Sequence, residues 1–185
     1  MSQTVMKPFE NIEATGAIDH VLRTTRQIHM QLRSQADTKA SIMITVTSIV
    51  LSIAISQLDK PELRLPLLVL GGFSLIALLL AIVAVFPWHP YPKKDDGTVD
   101  AEAPSFNLLF FGHFVRLDRE EFARRLDSMV RDEGAIYRAI VDDLYDVGLL
   151  LLLRKYRFLR LSYVSFVIGA IVAGVACAVI ANAGF

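Results

Sequence analysis

The sequence predicts an all-α integral membrane protein, with three transmembrane helices and two cytosolic helical arms continuous with spans one and three. Three observations carry this. Leu65–Trp88 holds 24 residues without a charge, and a helix of that length covers about 36 Å against a hydrocarbon core of about 30 Å. Two further uncharged runs flank it, Ala40–Leu58 and Leu161–Phe185. More than half the chain is hydrophobic, 54%, with no net charge, which places it in the membrane class and leaves no field to attract nucleic acid.

Residues 1–15 read as a flexible N-terminus, with Pro8 and no periodicity. No apolar h-region falls in the first thirty residues, so no signal peptide is expected. From Gly16 the pattern turns helical. Ile18, Val21, Leu22, Thr25, Ile28, Leu32 and Ala36 share a stripe, while Arg23, Arg26 and Arg33 lie on another. Residues 16–39 are thus read as a cytosolic arm. No Pro or Gly lies between Ala17 and Leu58, so the arm should run unbroken into span one, residues 40–58.

The polar residues of that span are ordered. Ser41, Thr45, Ser48, Ser52 and Ser56 recur at helical spacing and form one hydroxyl face. Such a face suits close helix packing or the lining of a pore. Asp59–Arg64 is read as a tight turn. Span two, residues 65–88, is expected to start at Pro66, where a proline suits a first turn. It ends at the prolines around Trp88 and Tyr91, aromatic residues fit for the membrane interface.

Residues 89–105 are polar and rich in Pro, Gly and acid, the mark of a linker. Residues 106–160 follow as a cytosolic helical segment. It opens with Phe106–Val115, an apolar-aromatic stretch too short to span. Asp118 and Glu121 form a capping box for the next helix, and Gly134 is expected to end or kink it. A second long helix is expected from Ala135, through the basic stretch Arg154–Arg160, into span three, residues 161–182. There Gly169, Ala173, Cys177 and Ala181 repeat every four residues as a small-residue face.

Basic residues set the orientation. Of the 19 Lys and Arg, most fall in the N-terminal arm and in residues 89–160. The positive-inside rule puts both in the cytosol and the C-terminus outside. The lone Cys177 has no partner for an internal disulfide and suits packing.

Chemical motifs are sparse. Asp142-Asp143-Leu144-Tyr145-Asp146 matches DDxxD, which can hold Mg²⁺ against a diphosphate. No second acidic motif accompanies it, and a solvated acidic face accounts for it. The four histidines show no metal spacing, and no phosphate loop, GxSxG, HExxH or CxxC is present. Neither an enzyme, a metal nor a cofactor is indicated. Arg154, Lys155, Arg157 and Arg160 suit anionic lipid or an arginine fork on a phosphate. Asp37-Thr38-Lys39 sits at the start of span one, where Lys39 can snorkel or Asp37 can orient a group across the arms. Asn107 and His113 are polar groups among aromatics, a setting for stacking on a base or for local caps.

These residues also carry a resemblance. Gln35-Ala36-Asp37-Thr38-Lys39-Ala40 leads directly into a span. Asn107-Leu108-Leu109-Phe110-Phe111-Gly112-His113-Phe114 follows, then Lys155-Tyr156-Arg157-Phe158-Leu159-Arg160 with Tyr163 and Phe166. Together, in this order, they resemble the Pycsar transmembrane effector family, over about Leu22 to Ile180. The resemblance implies an antiphage effector of the bacterial inner membrane. Its partners would be a cyclic pyrimidine mononucleotide, cCMP or cUMP, and membrane lipid. Sensing the nucleotide would impair the membrane, causing abortive infection. For this chain it implies a ligand site built from the helical arms; of the groups those arms supply, Asn107, His113 and Arg160, with Arg157, are the expected base or phosphate contacts, and Arg33 is expected opposite them. Asp37 and Lys39 would act as an arm latch. Ser41, Thr45, Ser48, Ser52 and Ser56 would line a packing or pore face in a homo-oligomer, since one protomer encloses no conduit. The competing expectations are a constitutive membrane scaffold whose arms dock a partner protein, and a transporter or membrane enzyme using the acidic face.

Overall fold

The computed structural model describes residues 16–86 and 91–182. The expectations for residues 1–15 and for Trp88 fall outside them. Among the described residues the regular elements are all helices, with no strand, and residues 91–110 form turns and bends. In order they form α1 (Gly16–Ser56), α2 (Pro61–Val85), α3 (Phe111–Phe114), α4 (Arg119–Val130), α5 (Glu133–Leu150), a π-helical segment (Leu151–Tyr156) and α6 (Arg157–Asn182). Helices α1, α2 and α6 are each long and apolar enough to cross a membrane. The chain divides into two compact units. Among the described residues one comprises 16–30 with 91–149, the other 31–86 with 150–182.

In the second unit the apolar helices pack through small residues. A core cluster joins Ala40 and Met43 of α1, Ala77, Ala81 and Ala84 of α2, and Leu159 of α6. Without a hydrophobic drive in lipid, helices hold together by close packing and by hydrogen bonds between them, and small side chains permit both. Ser162 Oγ of α6 donates to the Ala77 carbonyl at 2.7 Å, and Ser165 Oγ to the Phe73 carbonyl at 3.3 Å. Gly169 faces Phe73 so closely that an added Cβ would sit 2.3 Å from the Phe73 Cβ. Of the small-residue face on α6, Gly169 and Ala173 are buried whereas Cys177 is exposed.

Three local expectations are corrected. Helix α2 opens at Pro61, not Pro66. Pro61 takes the first turn, where a missing N–H costs nothing, and Pro66 lies buried inside the helix. Asp118 is the N-cap residue of α4, but its side chain makes no capping bond. Glu121 does not complete a capping box, because its carboxylate pairs with Arg124 and Arg125. Gly134 neither ends nor kinks α4. That helix stops at Val130, and Asp132 Oδ1 caps the next one by accepting from the Ala135 amide at 3.3 Å. Gly134 lies in the first turn of α5.

Candidate functional site: a buried polar clasp and an ion pair on the π segment

Within the first unit, Asn107 is the centre of a hydrogen-bonded clasp. Its residue is buried, 5% exposed. Oδ1 accepts from the backbone amides of Leu109 at 2.9 Å and Phe110 at 3.1 Å, which folds the loop into an Asx-type turn. Nδ2 donates to Asp143 Oδ1 at 3.3 Å and to Asp146 Oδ2 at 3.2 Å. These carboxylates stand three residues apart on α5 and so share a helix face. The second oxygen of Asp143 meets Arg26 of α1 at 3.3 Å. The Asp143 side chain is only 7% exposed and that of Arg26 is 48% exposed. A carboxylate this buried needs partners, and the clasp supplies them.

His113 completes the turn. Its Nδ1 accepts from the Asn107 backbone amide at 3.0 Å, so the neutral ring carries its proton on Nε2. The ring stacks on Phe106 at 5.7 Å and meets Phe110 edge-on at 5.0 Å. Phe114 packs on Phe122 of α4 at 4.9 Å. Residues 91–105 are tied to the same unit. Arg116 lies over the Tyr91 ring at 3.7 Å and donates through Nε to the Gly112 carbonyl at 3.2 Å. Arg125 donates to the Ala101 carbonyl at 3.2 Å and pairs with Glu102.

Nearer the start of α5, Tyr137 is buried and its hydroxyl donates to Asp19 of α1 at 2.9 Å. That bond to a carboxylate, aided by burial, holds the phenol above its ordinary pKa. His29 of α1 lies against Gly148, and its buried Nδ1 has no hydrogen-bond partner among the described residues.

In the second unit, Lys155 of the π segment pairs with Asp37 of α1. The lysine side chain is 12% exposed and the aspartate 43%. Tyr156 places its hydroxyl 3.4 Å from the Leu32 carbonyl. Thus the partner that Asp37 finds is Lys155, and Lys39 is exposed. Arg157 and Arg160 are exposed at the start of α6, and Arg33 is half-buried on α1. The expected ligand contacts therefore divide: Asn107 and His113 belong to the first unit, Arg33, Arg157 and Arg160 to the second.

The hydroxyl face of α1 points away from the core. Ser41, Thr45, Ser48, Ser52 and Ser56 are all exposed, whereas Ala36, Ala40, Met43, Thr47 and Ala54 form the buried face. Four of the hydroxyls donate within their own helix, Ser41 to the Asp37 carbonyl and Thr45 to the Ser41 carbonyl at 3.0 Å, Ser52 to Ser48 and Ser56 to Ile53 at 2.9 Å. Each donor is thereby satisfied in an apolar surrounding, while the oxygen keeps acceptor capacity. Among the described residues no group of three or more His, Cys, Asp or Glu is placed to hold a metal.

Sequence reasoning missed four of these features: the Arg26 and Asn107 partners of Asp143, the Tyr137–Asp19 bond, the Lys155–Asp37 pair and the π segment. The acidic motif signalled the first, although it pointed to a metal rather than to an amide.

Three apolar helices capable of crossing a membrane, joined to a polar helical unit, define a small helical membrane protein. The sequence profile of the Pycsar effector protein domain covers residues 20–182. The chain belongs to that family and is an antiphage defence effector. It matches no curated protein and no solved structure.

Proposed function

We propose that this protein is a ligand-gated effector of the bacterial inner membrane, which senses cCMP or cUMP through its cytosolic helices and impairs the membrane on binding. The observation that carries the reading is family membership over residues 20–182, joined to three helices of membrane-crossing length. The N-terminal part of α1 and residues 89–160 face the cytosol, where most of the Lys and Arg fall.

A cyclic mononucleotide offers one negative charge and a planar base. The charge suits the arginines Arg157 and Arg160 of α6, with Arg33 of α1, since guanidinium groups hold phosphate through paired hydrogen bonds. Asn107 and His113 serve this function by shaping their loop, because the Asn107 side chain is engaged with Asp143, Asp146 and the amides of Leu109 and Phe110, and His113 Nδ1 with the Asn107 amide. The membrane lesion needs several copies. The exposed hydroxyl face of α1 is the surface through which they associate or line a conduit. No enzymatic step is required.

The test is co-expression with a cyclase that makes cCMP or cUMP, followed by a membrane-potential dye. Depolarisation should require the cyclase. It should vanish in Ser48→Leu/Ser52→Leu, whose positions are exposed in the protomer, while the variant still reaches the membrane. Depolarisation without any cyclase would favour a constitutive lesion. Full activity of the double variant would exclude the hydroxyl face.

A further inference from the structure

A π-helical turn interrupts the run from α5 to α6 at Leu151–Tyr156. Such turns are rare and collect at functional positions. This one lies where the chain passes from the first compact unit into the second. Its Lys155 pairs with Asp37, and its Tyr156 reaches the Leu32 carbonyl at 3.4 Å. Leu151, its first residue, and Leu159, just beyond it in α6, are buried, each 4% exposed.

We infer that this segment is a two-register switch, held in its π register by the Asp37–Lys155 pair, and that its conversion to the α register gates the effector. The inference rests on the ligand-gated reading above. The geometry gives it content. One residue advances an α-helix by about 100°, so removing the π turn by a one-residue slip that carries Lys155 with it turns that side chain by about that angle about the helix axis. Asp37 is fixed on a different helix, so the pair breaks. Register and ion pair are thus one two-state element, of the kind that couples sites through discrete arrangements. Both halves of the pair belong to the chain. The π register therefore needs no ligand to hold it, and is the resting one. A nucleotide that favours the other register must overcome the pair, and its apparent affinity is lowered by the fraction of protein not yet competent.

The experiment uses the full-length protein in lipid nanodiscs, with cCMP and cUMP each as probe. Amide hydrogen exchange is followed by mass spectrometry, beside thermal unfolding. With the wild type, the nucleotide that stabilises the protein should change exchange at Leu151–Tyr156 by tenfold or more. The Asp37→Asn variant should bind that nucleotide at least tenfold more tightly, and the charge-swapped Asp37→Lys/Lys155→Asp should return to wild-type affinity. Stabilisation with exchange at 151–156 unchanged within twofold overturns the switch alone. So does unaltered or weaker binding by Asp37→Asn. No stabilisation of the wild type by either nucleotide defeats the ligand-gated reading instead. The wild-type arm needs no substitution, so the switch can still be refuted if a variant fails to fold.

Discussion

Replacing Asn107 by alanine removes four hydrogen bonds at a position that is 5% exposed. Two of these satisfy the amides of Leu109 and Phe110 at 2.9 and 3.1 Å. Bonds of that kind contribute about 1 kcal/mol each. The other two reach the carboxylates of Asp143 and Asp146 at 3.3 and 3.2 Å. Their length puts them at the lower end of charge-assisted bonds, about 1.5 kcal/mol each. The four share one side chain and do not add fully, so the expected loss is about 3 kcal/mol. Among the described residues, Asp143, with a side chain 7% exposed, then keeps its pair with Arg26. Asn107→Asp separates the two sets of bonds. It retains the acceptor for the two amides but sets a third carboxylate against two others, and should cost at least as much as alanine. Hydrogen exchange on the full-length protein reads the result. Amides of Asn107–Phe114 should exchange more than a hundredfold faster in Asn107→Ala, since every 1.4 kcal/mol is tenfold. Exchange within threefold of wild type would refute the clasp as the holder of this loop.

Other substitutions probe the same framework. Gly169→Ala brings a Cβ to 2.3 Å from the Phe73 Cβ; such overpacking should cost about 2 kcal/mol in thermal unfolding, whereas Gly174→Ala, which meets open space, should be neutral. Asp142→Asn, at an exposed position, should leave both stability and toxicity unchanged, while Asp143→Asn should destabilise by removing the charge that Arg26 pairs with; loss of function in Asp142→Asn with stability intact would revive a metal-dependent activity for the acidic motif. Tyr137 has its phenol pKa raised by Asp19. The folded state therefore keeps this proton longer than the unfolded chain does. The contribution is complete below pH about 10 and fades as the pH rises beyond it. Tyr137→Phe should flatten the alkaline limb of a stability-against-pH curve.

The spans were legible because lipid imposes a long uncharged run, and nothing else in a chain of 185 residues calls for one. Helix α1 could be followed across its whole length because no Pro or Gly interrupts it. Helix ends were harder to place. Pro61 and Pro66 both suit a first turn, and only the packing around Pro66 separates them. Glu121 has the spacing of a capping box, yet Arg124 and Arg125 compete for it. The site was the least legible. A motif such as Asp142–Asp146 states that carboxylates share a face, but not whether Asn107, 36 residues away from Asp143, will meet them. The Lys155–Asp37 pair joins residues 118 apart, and no local periodicity encodes such a partner. The π turn likewise leaves no mark in a sequence of good helix formers.

The most direct measurement is thermal stabilisation of the full-length protein by cCMP, cUMP, cAMP and cGMP. A ligand that binds only the folded state adds about 2.7 kcal/mol at a hundred times its Kd. A sensor of cyclic pyrimidine nucleotides should shift with cCMP or cUMP and with neither purine. A shift with none of the four, or equal shifts with purines and pyrimidines, would contradict that function.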